Sequence, residues 1–244
     1  MATVLAPTGV VTKVTLNGTV SAGDLIGYDG TGYVQADANA TASIRAQYVA
    51  LEAGVDNDVI RATDKARLST TGLTAGAFVF ASATAGGLTA TDPGSATAFP
   101  QVLGLAKSTT EIDVDCNYPH FYVRHALSGT APATAANYGY FWTAPMPCRL
   151  VGVYEVHRTA GTDGSAVTLD IEKLTTGTAQ DAGTAMLTAT INLKSTADTP
   201  TYTAATATAA NARLDVGDSM ALLDAGTLTA VADMSIVAIL VPEL

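Results

Sequence analysis

SAGDLIGYDGTGYV, residues 21–34, is a sentence this chain repeats. A small residue, a Gly and an Asp lead into an apolar run, and a Gly turn then opens a second apolar run. Related wording returns in TAGAFVFASATAGGLT (74–89) and in DVGDSMALLDAGTLT (215–229). Each copy reads as a tight turn that delivers the chain into a strand, followed by another turn and another strand. Gly suits these places because it takes positive φ without cost, where Asp and Asn only tolerate it. Because the grammar occurs in both halves, it predicts sheet throughout, and no segment reads as a convincing helix.

Working outward, residues 13–115 hold a series of short strand candidates separated by turn signals: DLIGY, GYVQA, AQYVALEAG, DVIRATDKARLS, AFVFAS, LTAT, QVLGLAKS and TEIDVD. So many short runs at close spacing describe a small β-barrel or sandwich. In TEIDVD, Glu111, Asp113 and Asp115 alternate with Ile112 and Val114, which is a half-buried strand with a wet acidic face. CNYPHFYVRHALSGTAPATAA (116–136) changes character, aromatic first and then small and Pro-containing, and reads as a connector.

A second all-β unit starts at Asn137. CRLVGVYEVHRTAG is a long apolar strand, and AVTLDIEKL places Val167, Leu169 and Ile171 inward against Thr168, Asp170 and Glu172 outward. The terminal DMSIVAILVPEL is apolar on both faces, as a central strand or one at a subunit interface would be. The first dozen residues are apolar and Thr-rich without a closing turn, and read as an extended arm ordered against something else. The expected organisation is an arm at 1–12, a β domain at 13–118, a connector at 119–136 and a β-sandwich at 137–244.

Composition narrows the function classes. With 244 residues the chain is long enough for two domains with real cores. Hydrophobic residues make up 48% and charged residues only 14%, against about a quarter in ordinary globular proteins, so much of the surface is expected to be covered by neighbours. The net charge of −10 argues against general nucleic-acid affinity, which needs clustered Lys and Arg. No run approaches the ~18 apolar residues of a membrane span, and MATVLAPTGVVTK has neither the basic nor the apolar region of a leader, so the expected site of synthesis is a cytosol. In that reducing setting Cys116 and Cys148 are expected to be free, buried thiols.

Catalytic patterns are scarce. His120 and His125 lack a Cys or carboxylate at a metal-ligand interval, and Cys148 with His157 lacks an oxyanion-forming Gly loop. Asp56-Asn57-Asp58 is read as an Asx turn, since the Gly and distal Glu of a calcium loop are missing. Neither GxGxxG nor GxxxxGK[ST] occurs. The chain is therefore expected to be neither an enzyme nor dependent on a metal or cofactor.

Two surface features have competing readings. Arg61, Lys65 and Arg67 share odd positions in RATDKAR, so one strand would carry them as a basic stripe, either docking on an acidic partner or simply solvated. Tyr138, Tyr140 and Trp142 would form an aromatic ladder, either a sugar-stacking platform or a core or interface stripe.

These residues also carry a resemblance. ATAANYGYFWTAPMPCRLVGVYEVHRTAGTDGSAVTLDIEKLTTGTA, followed by RLDVGDSMALLDAGTLTAVADMSIVAIL, resembles the jelly-roll-type β-sandwich of structural proteins from tailed bacteriophages. GDLIGYDGTGYVQAD through AFVFASATAGGLTAT to QVLGLAKSTTEIDVD resembles the small β-tulip barrel of phage capsid decoration, or cement, proteins. The resemblance spans residue 10 to the end and lies in turn grammar and strand order. It implies a homotrimer on the outside of a capsid, bound to the major capsid protein, with the second domain projecting outward. Contact is then expected through the arm, at Ala2, Thr3, Val4, Leu5 and Lys13, and through Arg61, Lys65 and Arg67. A head-fibre or tail-associated protein, and a carbohydrate-binding module using the aromatic ladder, are the alternatives.

Overall fold

Among the described residues, five turns of one design launch strands, and they explain the repeated grammar. In one of them, Thr84–Gly87, the Gly87 N–H donates to the Thr84 carbonyl at 3.0 Å, Gly86 has φ 73°, and the Gly86 N–H donates to the Ala36 carbonyl at 2.8 Å. In Ser21–Asp24, Val55–Asp58, Thr74–Ala77 and Asp215–Asp218 the fourth N–H donates to the first carbonyl, at 3.1, 3.0, 2.9 and 3.0 Å. The third residue takes positive φ: Gly23 at 92°, Asn57 at 65°, Gly76 at 76° and Gly217 at 90°. That residue's own N–H reaches out to another segment, donating to the carbonyls of Ala50, Leu16, Ala106 and Ala144 respectively. Where the fourth residue is Asp, its carboxylate also accepts the first residue's N–H, at 2.8 Å for Asp24, 2.9 Å for Asp58 and 3.0 Å for Asp218. The turn thus closes itself twice and ties its tip to a neighbouring segment.

The computed structural model describes residues 2–38, 44–95, 99–130, 139–226 and 228–243, and these are all-β apart from one turn of helix. It divides into two compact units, Met1–Tyr118 and Pro119–Leu244.

The first unit holds eleven strands among its described residues: β1 (Thr3–Pro7), β2 (Val11–Thr15), β3 (Leu25–Tyr28), β4 (Tyr33–Gln35), β5 (Tyr48–Ala50), β6 (Val59–Thr63), β7 (Lys65–Ser69), β8 (Phe78–Ala81), β9 (Leu88–Thr89), β10 (Val102–Leu105) and β11 (Glu111–Asp115). They form a five-stranded sheet in the order β2-β6-β5-β3-β4 and two three-stranded sheets, β1-β7-β11 and β10-β8-β9. One core gathers Leu25, Val49, Leu68, Val79, Leu103 and Ile112, and a smaller one gathers Val14, Leu16, Ile26 and Ile60. The alternation in β11 is as expected, with Ile112 and Val114 buried and Asp113 exposed.

Two expectations are corrected here. DVIRATDKARLS is not one strand: the chain leaves the five-stranded sheet at Thr63 and enters another sheet at Lys65. Asp64 marks the switch, its carboxylate accepting Val10 N–H at 2.9 Å and its carbonyl accepting Cys116 N–H at 3.0 Å. The N-terminal segment is likewise not an arm awaiting an external partner. Residues 3–7 pair antiparallel with β7, Thr3 opposite Ser69 and Val4 opposite Leu68, and Ala2 and Val4 pack against the core.

The second unit contains, among its described residues, β12 (Phe121–Thr130), β13 (Gly139–Thr143), β14 (Cys148–Thr159), β15 (Thr168–Leu174), β16 (Thr184–Ala185), β17 (Ile191–Asn192), β18 (Thr201–Ala204), α1 (Ala209–Ala212), β19 (Arg213–Leu214), β20 (Ser219–Ala225) and β21 (Ala232–Pro242). One sheet runs β12-β21-β14-β18 and the other β13-β20-β15-β16, with β19 and β17 pairing β14 and β15. Leu150, Val153, Ile236 and Leu240 from the first sheet meet Leu169, Ile171, Met220 and Leu222 from the second in one core. The terminal strand is central, with β12 on one side and β14 on the other; Met234, Ile236, Ala238 and Leu240 join the core, and Ile239 and Val241 at the alternate positions are buried as well.

The connector expected at 119–136 is also corrected. Residues 121–130 form a strand because Val123 and Leu127 join the core while the backbone completes a ladder with β21. Residues 131–136 of that span lie outside the described residues. Glu172 occupies an outward position on β15 yet is 1% exposed, because the backbone N–H groups of Asp181 and Gly183 close over its carboxylate, each at 2.9 Å.

Candidate functional site

Of the residues expected to make contacts, Ala2, Thr3, Val4, Leu5 and Lys13 lie along the N-terminal edges. β1 ends one three-stranded sheet and β2 ends the five-stranded sheet, so residues 3–15 run along the free edges of two sheets in succession. Thr8 and Gly9 N–H both donate to Lys65 carbonyl, at 3.0 and 3.1 Å, and fix the passage between them. Gly23 holds the start of β1: a side chain there would strike the Ala2 carbonyl. Val4 faces the core, while Thr3 and Leu5 face out. Leu5 is 49% exposed, Val10 73% and Val11 47%, an apolar series along these edges. Lys13 stands directly opposite Arg61, and exposed Val59 lies opposite Thr15. A groove of about 540 Å³ opens alongside, lined by Val10, Thr12, Arg45, Tyr48, Asp64 and Asn117 among others.

The basic stripe resolves into two places. Arg61, on β6, pairs with Glu52 at 2.7 Å, and its backbone N–H donates to the same carboxylate at 3.1 Å. That backbone bond, then the guanidinium, holds Glu52 below the ordinary carboxylate range. Lys65 and Arg67, on β7, face the acidic residues of β11 in register, Lys65 on Asp115 and Arg67 on Asp113, both at 2.8 Å. Lys107 reaches Asp113 as well, at 2.8 Å. The hydrogen bonds from Arg67 and then Lys107 lower the Asp113 pKa, while Asp115 and Asp113 raise those of Lys65 and Arg67. The single stripe is therefore not formed: a change of sheet separates Arg61 from the other two, and an acidic strand accompanies those two. Exposed pairs of this kind add little stability and are screened by salt.

The aromatic ladder is also broken. Tyr138 lies outside the described residues. Between Tyr140 and Trp142 the pairing with β20 shifts register, Tyr140 opposite Ala221 and Trp142 opposite Met220, so simple alternation fails at Phe141. Phe141 and Trp142 both pack on the core, Trp142 against Phe121 at 5.8 Å between ring centres and Phe141 against His125 at 5.4 Å. Tyr140 stays 56% exposed, its hydroxyl donating to the Thr178 carbonyl at 3.5 Å.

The remaining candidates take structural places. Cys148 and His157 open and nearly close the same strand, nine positions apart, which is about 30 Å along an extended chain. Burial pushes the Cys116 and Cys148 thiols up to about 12. Asp56-Asn57-Asp58 is a turn of the shared design, and among the described residues no group of three or more His, Cys, Asp or Glu is placed to hold a metal ion. The exposed Val10, Val11 and Val59 were not singled out from sequence.

No protein-family model and no curated protein matches the sequence. Two solved structures are similar. One, described as the capsid of Ralstonia phage GP4, has a TM-score of 0.39 and 16% identity, over 52% of this chain and 86% of that one. The other, described as the structure of infectious bursal disease virus Gt strain, has a TM-score of 0.28 and 11% identity, over 98% of this chain and 73% of that one.

Proposed function

We propose that this chain is a structural virion protein, a decoration or cement protein that binds the outside of a phage capsid as a homotrimer and stabilises the shell. The observation that carries this reading is the double free edge of residues 3–15, with Leu5, Val10 and Val11 exposed along it. Such an edge can take an added strand from a neighbouring protein, the backbone supplying affinity and the alternate side chains specificity. Scarce charge, 14% of residues, fits a surface that works covered. The first unit, in this reading, is the β-tulip-like capsid-binding domain. If the eight principal strands of the second unit are counted in chain order, its sheets run 1-8-3-6 and 2-7-4-5, which supports the jelly-roll reading of that unit.

The mechanism is linkage. A protein that binds the assembled shell and not the separated subunits stabilises the shell by mass action, and three joined copies add avidity. Neither a cofactor nor a catalytic group takes part. The test is the solution mass by light scattering, followed by mixing with undecorated capsids and pelleting. A trimer that saturates shells at fixed stoichiometry is the expected result; a monomer that stays in the supernatant overturns the reading. Replacing Leu5 and Val11 together with Asp should abolish pelleting without changing the fold.

A further inference from the structure

The second unit buries an acid and a base side by side. Val153, Glu155 and His157 occupy alternate positions on β14 and so share its inward face, with Glu155 1% and His157 0% exposed. His157 Nδ1 lies 2.9 Å from Glu155 Oε1, and His157 Nε2 lies 3.2 Å from the Ser195 carbonyl oxygen. Glu155 Oε2 accepts the Thr201 hydroxyl at 3.3 Å. A carbonyl can only accept, so Nε2 must carry a hydrogen. The Nδ1···Oε1 contact then holds one further proton, whichever of the two atoms keeps it. In either arrangement the pair is neutral overall, and both ring nitrogens and both carboxylate oxygens are engaged.

We propose that Glu155, His157 and the Ser195 carbonyl form a proton-sharing latch that fastens residues 195–201 over β14, and that loosens when the pair gains a second proton or loses its one. The Asp198 N–H adds a backbone bond to the His157 carbonyl, at 2.8 Å, so the same segment is held twice. The Ser195 hydroxyl oxygen is buried without a hydrogen-bond partner, so opening the segment to water would satisfy a group that closure leaves unmet.

The surroundings isolate the pair from other charges. β21 sets Ile236 opposite Glu155 and Met234 opposite His157, both buried, and β18 sets Thr201 opposite Glu155. Near the pair, Arg158 on β14, Asp233 on β21, and Lys194 and Asp198 in the segment itself are all exposed, and the buried Arg149 of β14 stands six positions from Glu155, paired with Glu243. The Lys194 ammonium is engaged by the carbonyls of Asp163 and Ser165, at 2.8 and 3.3 Å. Desolvation is the largest influence on Glu155 and raises its pKa, in keeping with a carboxyl that retains access to a proton.

The consequence is a stability profile with a plateau. In the unfolded chain a Glu titrates near ~4.5 and an imidazole near ~6.5, so between those values the unfolded pair also carries one shared-site proton and the folding equilibrium is flat in pH. Below the plateau the unfolded chain gains a proton that the folded pair lacks. Above it the unfolded chain loses a proton that the folded pair keeps. Stability falls on both sides, by up to about tenfold in the equilibrium per pH unit.

Glu155→Gln separates this from a merely structural contact. The amide can donate to His157 Nδ1 and accept from Thr201, but it holds no titrating proton. The ratio of the variant's unfolding constant to the wild type's should then fall by about tenfold per pH unit from about pH 4.5 upward. Thr201→Val, which leaves the proton count unchanged, should track the wild type at every pH. Parallel profiles for wild type and Glu155→Gln would overturn the proposal. If Glu155→Gln fails to fold, exchange of the Asp198 amide in the wild type decides: its opening constant should be lowest between about pH 4.5 and 6.5 and rise on both sides, and a constant opening across pH refutes the latch.

Discussion

Gly23 and Gly217, two of the Gly residues at the third position of the shared turn, differ in one respect, and that difference can be measured. Gly23 and Gly217 have nearly the same φ, 92° and 90°, and the same hydrogen bonds around them. A methyl group built on Gly217 meets nothing within 4 Å, whereas one built on Gly23 meets the Ala2 carbonyl. Gly217→Ala therefore reads the cost of left-handed backbone alone, about 1–2 kcal/mol. Gly23→Ala adds the displacement of the start of β1, which loosens the Thr3–Ser69 and Val4–Leu68 pairing and uncovers half-buried Val4. Partial exposure of a Val side chain is worth about 1–1.5 kcal/mol, so the total is about 2–3.5 kcal/mol.

Denaturant melts of the two variants give the totals, and hydrogen exchange gives their location. The expected result is a milder loss for Gly217→Ala, confined to its turn and β20, and a larger loss for Gly23→Ala accompanied by collapse of amide protection at residues 3–7. Equal losses, with β1 still protected, would refute the claim that Gly23 is small because Ala2 lies against it. A neutral Gly217→Ala would refute the more basic claim that the third position requires left-handed backbone.

Asn57 occupies the same third position at φ 65°, so Asn57→Gly should leave a thermal melt essentially unmoved while Asn57→Ala lowers stability by about 1 kcal/mol. Trp142→Ala removes a half-buried ring from Phe121 and the core and should cost about 2–3 kcal/mol in chemical denaturation, with a glycan array blank for both proteins. Cys116 and Cys148, both buried with thiols near 12, should resist alkylation at pH 8 in the folded chain and react only at the rate of unfolding, as mass spectrometry of labelled peptides would show.

What could be read from the sequence and what could not divide along sequence distance. The turns, the alternation of β11 and the apolar terminal strand are local, and each was visible because hydrogen bonds between residues three apart, or side chains two apart, leave their mark within a few letters. Val55–Asp58 is instructive. Written as letters it resembles a piece of a calcium loop; written as a positive-φ residue followed by a carboxylate that caps the turn's first N–H, it is the same unit as Ser21–Asp24 with Asn in place of Gly. The N-terminal edges and the charges beside them were legible only in part, residue by residue, and not as an arrangement. The acidic stripe of β11 and the basic residues of β7 both stood out, yet Arg67 and Asp113 are 46 positions apart, and nothing local says that those strands are neighbours. The change of sheet at Asp64 and the register shift at Phe141 were hidden for a different reason. Each alters the period itself, so the alternation that placed Arg61 with Lys65, or Tyr140 with Trp142, was extended across a point where it had stopped applying. It follows that a stripe of like residues in an all-β chain identifies a surface only within one uninterrupted ladder, and that Lys13 and Arg61, joined by register across β2 and β6, form a better-founded pair of neighbours than the three basic residues that the letters of RATDKAR bring together.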